Sequence, residues 1–98
     1  MRKRTLLLYL LLSPLAMAQL DPQVALVRQV FHCRRDQWNS LLAQHRELLD
    51  DVFFEKCQQR IEWDLEHNQA EDALRFALLA DCAAELTGRP AHYRENLI

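Results

Sequence analysis

Hydrophobic positions recur every three or four residues from residue 21 onward, the spacing of one face of an α-helix. Asp21 and Pro22 predict the first helix start, because Asp is a favoured N-cap and Pro fits the first helical position. The apolar face that follows comprises Val24, Val27, Val30, Phe31, Trp38, Leu41, Leu42, Leu48 and Leu49. Two interpretations stay open: one long helix to Leu49, or a break at Arg34-Arg35-Asp36 with Asp36 capping a second helix. The break is the preferred one.

Asp50 and Asp51 predict the next helix start, because acidic side chains interact favourably with the helix dipole at the N-terminus. This helix is predicted from about Asp51 to His67. Its predicted buried face holds Phe53, Phe54, Cys57, Ile61 and Leu65. Val52 and Trp63 fall on the opposite face. Asn68 predicts the end of this helix, since asparagine tolerates the left-handed conformation.

The last long helix is predicted from about Gln69 to Thr87, ending at Gly88 with Pro90 just beyond. It is apolar nearly all round. One face carries Ala70, Ala73, Ala77, Ala80 and Ala84, and another carries Leu78, Leu79, Cys82 and Leu86. A helix with two apolar faces packs between neighbours. Residues 90–98 have the pattern of a short fifth helix that returns Tyr93 and Leu97 to the core.

The N-terminal segment has the three parts of a secretory signal peptide. Arg2-Lys3-Arg4 is basic, a leucine-rich core follows, and Ala16-Met17-Ala18 is a peptidase recognition pattern. Cleavage is predicted between Ala18 and Gln19. The alternative, a retained membrane anchor, is disfavoured because a spanning helix needs about 20 apolar residues and this uncharged run is shorter and contains a proline. The chain is therefore predicted to be exported, either periplasmic or secreted.

Residues 19–98 form a predicted single all-α domain of four or five helices. Two architectures fit the pattern: a small antiparallel helical bundle, or a stack of helical hairpins. Nine basic against fourteen acidic residues give this part of the chain a formal charge of −5. An acidic surface argues against nucleic-acid binding and against adsorption to anionic membranes after signal cleavage.

The run from Asp36 to Gly88, "DQWNSLLAQHRELLDDVFFEKCQQRIEWDLEHNQAEDALRFALLADCAAELTG", resembles the degenerate tetratricopeptide-like helical units of bacterial repeat proteins. The similar features are a tryptophan-led helix, a polar hinge "HNQAEDA" and an alanine-rich helix closed by glycine. A regular 34-residue repeat is not visible twice. The resemblance implies an α-hairpin stack used for protein–protein contact, and it implies no catalytic residues.

Three cysteines carry the most reactive chemistry in a chain predicted to reach an oxidising compartment. A helical hairpin turning near Asn68 would bring Cys57 and Cys82 within a turn of facing each other. Two alternatives stay open for this pair: a disulfide, or two small buried thiols. Cys33 is then the odd thiol, which is buried, pairs between chains or is reactive.

Metal, cofactor and catalytic sites lack their usual sequence signatures. His32 and Cys33 are adjacent, but no C-x₂-C or H-x₃-H spacing is present. Only Ser40 and Thr87 supply hydroxyl nucleophiles after residue 18, and no glycine-rich phosphate loop accompanies them. The sequence therefore predicts neither an enzyme nor a metal or cofactor binder.

The preferred function is an exported, non-catalytic helical module that binds another protein or a second copy of itself, in an adaptor or assembly role. Trp63, Val52 and Trp38 are the candidate partner contacts, because tryptophan is a frequent interface anchor. Trp38 is on the apolar face of its helix, where a core position is the better interpretation. The alternative function is thiol-dependent, with Cys33 binding a ligand or linking two chains. A third reading is an orphan repeat fragment without an independent role.

Overall fold

A computed structural model describes residues 21–97; the predicted signal segment and its cleavage point, Ala18 and Gln19, lie outside them. Within these residues the chain is all-helical, as predicted. It forms four α-helices, α1 (Pro22–His32), α2 (Trp38–Gln44), α3 (Asp51–Glu66) and α4 (Ala70–Thr87). Three short 3-10 turns complete the elements, at Arg35–Gln37, Arg46–Leu48 and Glu95–Leu97.

The helix boundaries follow the capping residues. Asp21 caps α1, accepting hydrogen bonds from the amides of Gln23 and Val24 at 3.0 and 3.2 Å. Asp50 caps α3, accepting from the Phe53 amide at 2.9 Å. Asn68 (φ 58°) and Gly88 (φ 73°) both adopt the left-handed conformation that ends α3 and α4. All four predicted boundaries are therefore confirmed.

The first apolar stretch is broken into two helices, which confirms the preferred interpretation. Helix α1 ends at His32, and both Cys33 and Arg34 are extended. The predicted cap at Asp36 is wrong. Its carboxylate accepts a hydrogen bond from Arg34 Nη2 at 2.7 Å, and α2 has no side-chain N-cap. The 3-10 turn runs directly into α2, and the Arg35 carbonyl accepts a hydrogen bond from the first amide of α2, that of Trp38.

Helix α4 lies at the centre of the fold. It pairs with α3 as an antiparallel hairpin and also packs against α2. Its fully buried alanines are Ala73, Ala77, Ala80, Ala83 and Ala84. Small side chains let the neighbouring helices approach closely on both sides. The core around it takes Leu26 and Val30 from α1, Trp38 and Leu42 from α2, and Phe53, Phe54 and Cys57 from α3. Ala70, which opens the helix, is exposed.

The buried face of α3 differs from the prediction at its C-terminal end. Leu65, predicted to be buried, is 47% exposed. The neighbouring Asp64 takes the buried position instead and is 0% exposed. The spacing explains the exchange, because Cys57, Ile61 and Asp64 continue one helical face by steps of four and three residues.

The C-terminal segment folds back over the helical hairpin without forming a fifth α-helix; only the 3-10 turn Glu95–Leu97 is present. Tyr93 and Leu97 nevertheless pack on the small core cluster of Ile61, Ala73 and Ala77, as the sequence predicted for this tail. The buried carboxylate of Asp81 holds the segment. It accepts hydrogen bonds from the amides of Tyr93 at 2.9 Å and Arg94 at 3.3 Å.

Replacing Asp81 with Ala is expected to lower the free energy of unfolding by about 1–2 kcal/mol, because two backbone amides of the tail lose their acceptor. Hydrogen exchange at the amides of Tyr93 and Arg94 should accelerate. Glu85→Ala, an exposed acidic position one turn further along α4, is the matched control and should leave both measurements unchanged. Equal exchange in the two variants would contradict the assigned role of Asp81.

Candidate functional site

A cleft of about 280 Å³ lies between α1 and α3 and is the candidate binding site. Helix α1 contributes Gln23, Val24, Val27 and Arg28; α3 contributes Phe53, Lys56, Cys57 and Arg60; α4 contributes Phe76. We call this set the α1–α3 cleft. Its floor is apolar and its charged side chains are all cationic. An apolar surface with a few polar groups at its edge is typical of a recognition site.

One end of the cleft is closed by a hydrogen-bond network that joins the N-termini of α1 and α3. The side-chain amide of Gln23 donates to the Leu48 carbonyl at 3.0 Å and to Asp50 Oδ1 at 2.8 Å. Lys56 Nζ donates to Asp21 Oδ2 at 2.8 Å and to Gln23 Oε1 at 3.1 Å. Both N-cap carboxylates, Asp21 and Asp50, thus also position the cleft.

This network holds the two carboxylates in their charged form. The hydrogen bond from Lys56 lowers the pKa of Asp21 below its ordinary value of 3.8, assisted by the amides of Val24 and Gln23. The backbone amide of Phe53 lowers the pKa of Asp50 in the same direction, assisted by Gln23. Each group binds protons less readily in the folded chain than in the unfolded chain.

The contribution of these two carboxylates to stability is therefore expected to be fully present above about pH 5 and to be lost as the pH drops through and below 3.8, where they become protonated in the folded chain. Urea unfolding at pH 7 and at pH 3 measures this difference. In the Asp21→Asn/Asp50→Asn variant the loss between the two pH values should be smaller than in the wild type. An identical loss would show that other carboxylates cause the acid sensitivity.

The other end of the cleft is formed by Arg60. Its Nε donates to Asp64 Oδ1 at 3.0 Å, and its guanidinium lies over the rings of Trp63 and Phe76 at 5.2 and 5.3 Å. Asp64 is fully buried, and its second oxygen, Oδ2, has no hydrogen-bond partner among the described residues. A buried carboxylate thus fixes Arg60 at the edge of the cleft.

The predicted partner contacts separate into three environments. Trp63 is 45% exposed, stacks on the His67 ring with centroids 3.8 Å apart, and adjoins the cleft through Arg60. Val52 is 49% exposed but is not among the residues that line the cleft. Trp38 is 5% exposed and its indole N–H donates to the Cys33 carbonyl at 3.4 Å. Trp38 is therefore a core residue, which agrees with the preferred interpretation of its place on the apolar face.

The sequence did not single out the cations of the cleft. Lys56 and Arg60 are four residues apart on α3, so their shared side of the helix could be read from spacing alone. Arg28 belongs to α1, and the neighbourhood of α1 and α3 is a tertiary fact without a local sequence signal.

All three cysteines are free thiols in the structure, so of the two alternatives for Cys57 and Cys82 the structure has the two buried thiols and not the disulfide. Cys57 and Cys82 are both buried in the main core, whereas Cys33 is half-buried at the end of α1. Burial raises the pKa of Cys57 to about 12, so this thiol in the cleft stays protonated. The cleft thus offers apolar contact and positive charge rather than a nucleophile.

Comparisons with protein-family models, with curated proteins and with solved structures give no match for this chain. Within residues 21–97, no helix combines the length and the apolar character that a membrane span needs. In the same residues His, Cys, Asp and Glu side chains form no group of three that could hold a metal ion. The adjacent His32 and Cys33 therefore belong to no such group.

Proposed function

We propose that this chain is an exported, non-catalytic helical module that binds another protein through the α1–α3 cleft. The observation that carries the proposal is the apolar floor of the cleft together with the half-exposed Trp63 beside it. An aromatic ring held next to an apolar groove has the features of an interface anchor. An adaptor or assembly role agrees with a cleft whose lining offers contact surface and charge.

The tetratricopeptide-like arrangement implied by the sequence resemblance stays part of this proposal. Helix α2 packs on α4 beside the α3–α4 hairpin. Helix α1 lies beside α3, and hydrogen bonds of Gln23 with the Leu48 carbonyl and with Lys56 join the N-terminal ends of these two helices. Two neighbouring hairpins of this kind place their first helices side by side. In such a stack a binding groove would lie between the first helices of the two hairpins, here α1 and α3.

Site-specific photo-cross-linking in cells producing the full chain tests the docking surface. A photoreactive residue at Val24 or Trp63 should give discrete cross-linked adducts of a partner, because both positions border the cleft. The same residue at the exposed Glu47, on the 3-10 turn Arg46–Leu48, is the matched control and should give none. Adducts of equal yield from all three positions, or none from any, would contradict the proposal.

The intact mass of the chain from the periplasmic or extracellular fraction tests export. A mass equal to residues Gln19–Ile98 would establish both export and cleavage after Ala18. A mass that retains residues 1–18 in the membrane fraction would refute both and leave a membrane-tethered module.

The second candidate function is thiol-dependent, and the half-buried position of Cys33 is the observation that favours it. In the native chain at pH 8, iodoacetamide is expected to modify Cys33 alone, because the thiols of Cys57 and Cys82 are buried. Mass spectrometry of tryptic peptides measures this. Modification of Cys57 in the native state would contradict the structure, and loss of partner cross-links after alkylation of Cys33 would favour the thiol-dependent function.

The same labelling after denaturation without reductant distinguishes the two alternatives for Cys57 and Cys82. Three modified cysteines would identify three free thiols, as in the structure. One modified cysteine, Cys33, would identify a Cys57–Cys82 bridge formed in the exported protein.

A further inference from the structure

The charged side chains that line the α1–α3 cleft are of the opposite sign to the net charge of the chain. Residues 21–97 contain fourteen acidic and nine basic side chains. Yet the charged residues that line the cleft are Arg28, Lys56 and Arg60, with no carboxylate among them. Composition alone would place mainly acids there. A cleft lined by one sign of charge concentrates its electrostatic field on the ligand.

The three cations differ in how much of their charge is already paired. Lys56 contacts the half-exposed Asp21. Arg60 uses Nε for Asp64, so its two terminal nitrogens remain available to a carboxylate in a bidentate geometry. Arg28 is exposed and has no ion-pair partner among the described residues. Lys56 and Arg60 are thus each paired with one carboxylate at an end of the cleft, and Arg28 is the cation of the lining that has no such partner.

The cations are arranged along the cleft with helical spacing. Lys56 and Arg60 lie one turn apart on α3, a rise of about 6 Å. Arg28 lies on the opposite wall, on α1. The floor between the walls consists of Val24, Val27, Phe53, Cys57 and Phe76. From Phe53 to Arg60 it extends about 10 Å along α3, or two helical turns.

We propose that the occupant of the cleft is an acidic amphipathic helix of a partner protein. Its apolar side would cover the floor, and carboxylates four residues apart would match the separation of Lys56 and Arg60. A further carboxylate would meet Arg28. Helix-in-groove binding is a common mode of peptide recognition, and the charge of the cleft selects the acidic members of that class. This inference rests on the proposed docking function.

A second copy of the chain is the less favourable occupant. A two-fold interface brings the same surface of both subunits together, so Arg28 and Lys56 would face cations of the other copy. Like charges opposed across an interface reduce affinity. An acidic helix from a different protein meets no such repulsion.

Selection from a library of random 14-residue peptides displayed on phage, with the purified chain as bait, tests the proposal. Enriched peptides should combine apolar residues at helical spacing with a net negative charge. Their binding, measured by fluorescence anisotropy, should weaken with added salt.

The variant Arg28→Gln/Lys56→Gln should bind these peptides about ten-fold more weakly, since each exposed ion pair contributes a few-fold in affinity. This variant keeps the Arg60–Asp64 ion pair, so the buried carboxylate of Asp64 retains its counter-ion.

The matched control is Arg34→Gln/Arg46→Gln, which removes two exposed cations outside the cleft and should bind as the wild type does. Enriched peptides that are neutral or basic, but still compete for the cleft, would overturn the acidic partner and leave the docking function intact. No enriched peptides would overturn both. Sedimentation that shows a dimer of the wild type and a monomer of Arg28→Gln/Lys56→Gln would assign the cleft to a second copy and overturn the proposal.

Discussion

Replacing Phe53 with Ala is expected to lower the free energy of unfolding by about 3–5 kcal/mol. Phe53 is 1% exposed and stacks edge-to-face on Phe54, with ring centroids 5.4 Å apart. It also forms part of the cleft floor. Removal of the ring loses apolar burial and leaves a cavity beside α1. For a domain of about 80 residues this is a large share of the total stability.

Thermal unfolding followed by circular dichroism measures the effect, with an expected decrease in Tm of about 15 °C or more. Val52→Ala is the matched control, because Val52 precedes Phe53 in the same helical turn and is 49% exposed. The control should shift the free energy of unfolding by less than about 0.5 kcal/mol. Equal effects at both positions would mean that α3 presents a different face to the core.

Replacing Arg60 with Ala is expected to lower the free energy of unfolding by about 2 kcal/mol. Asp64 is 0% exposed and its Oδ1 accepts the hydrogen bond from Arg60 Nε, so the variant leaves a buried carboxylate without its counter-ion. Breaking a fully buried pair costs about 3–5 kcal/mol, and the half-exposed Arg60 lowers this figure because water reaches it.

The Arg60→Ala/Asp64→Leu variant separates the charge effect from lost packing. With the carboxylate gone, an apolar residue occupies the buried position, and much of the lost stability should return. Urea unfolding of the wild type, the two single variants and the double variant gives the coupling free energy. Additive effects of the two substitutions would show that the pair contributes no electrostatic coupling.

The helices could be predicted from the sequence because their signals are local. Asp21, Asp50, Asn68 and Gly88 mark boundaries by their own backbone and side-chain preferences, and all four are found where expected. The apolar period identified most of the core in the same way. The sequence did not predict that Asp64 is buried and Leu65 is exposed, because a hydrophobicity pattern does not assign a carboxylate to a buried position. Its burial depends on Arg60 one turn earlier.

The candidate site could be predicted only in part. Trp63 was identified as an exposed aromatic from its place opposite the buried face of α3, and its exposure agrees with that prediction. The cleft itself could not be predicted. It requires α1 to lie beside α3, and this arrangement is set by the contacts of Gln23 with Leu48 and Asp50, residues 25 and 27 positions away.

The central position of helix α4 determines how the domain is expected to unfold. It touches α2 and α3 directly, and Phe76 meets Phe31 of α1 with ring centroids 5.0 Å apart. In a one-dimensional array each unit contacts only its neighbours, and an end unit can fray while the rest persists. Here the other three helices all contact the same central helix, α4. The amides of α4 are therefore expected to exchange only when the whole domain unfolds, so that the proposed docking at the cleft would take place on a framework that does not open in parts.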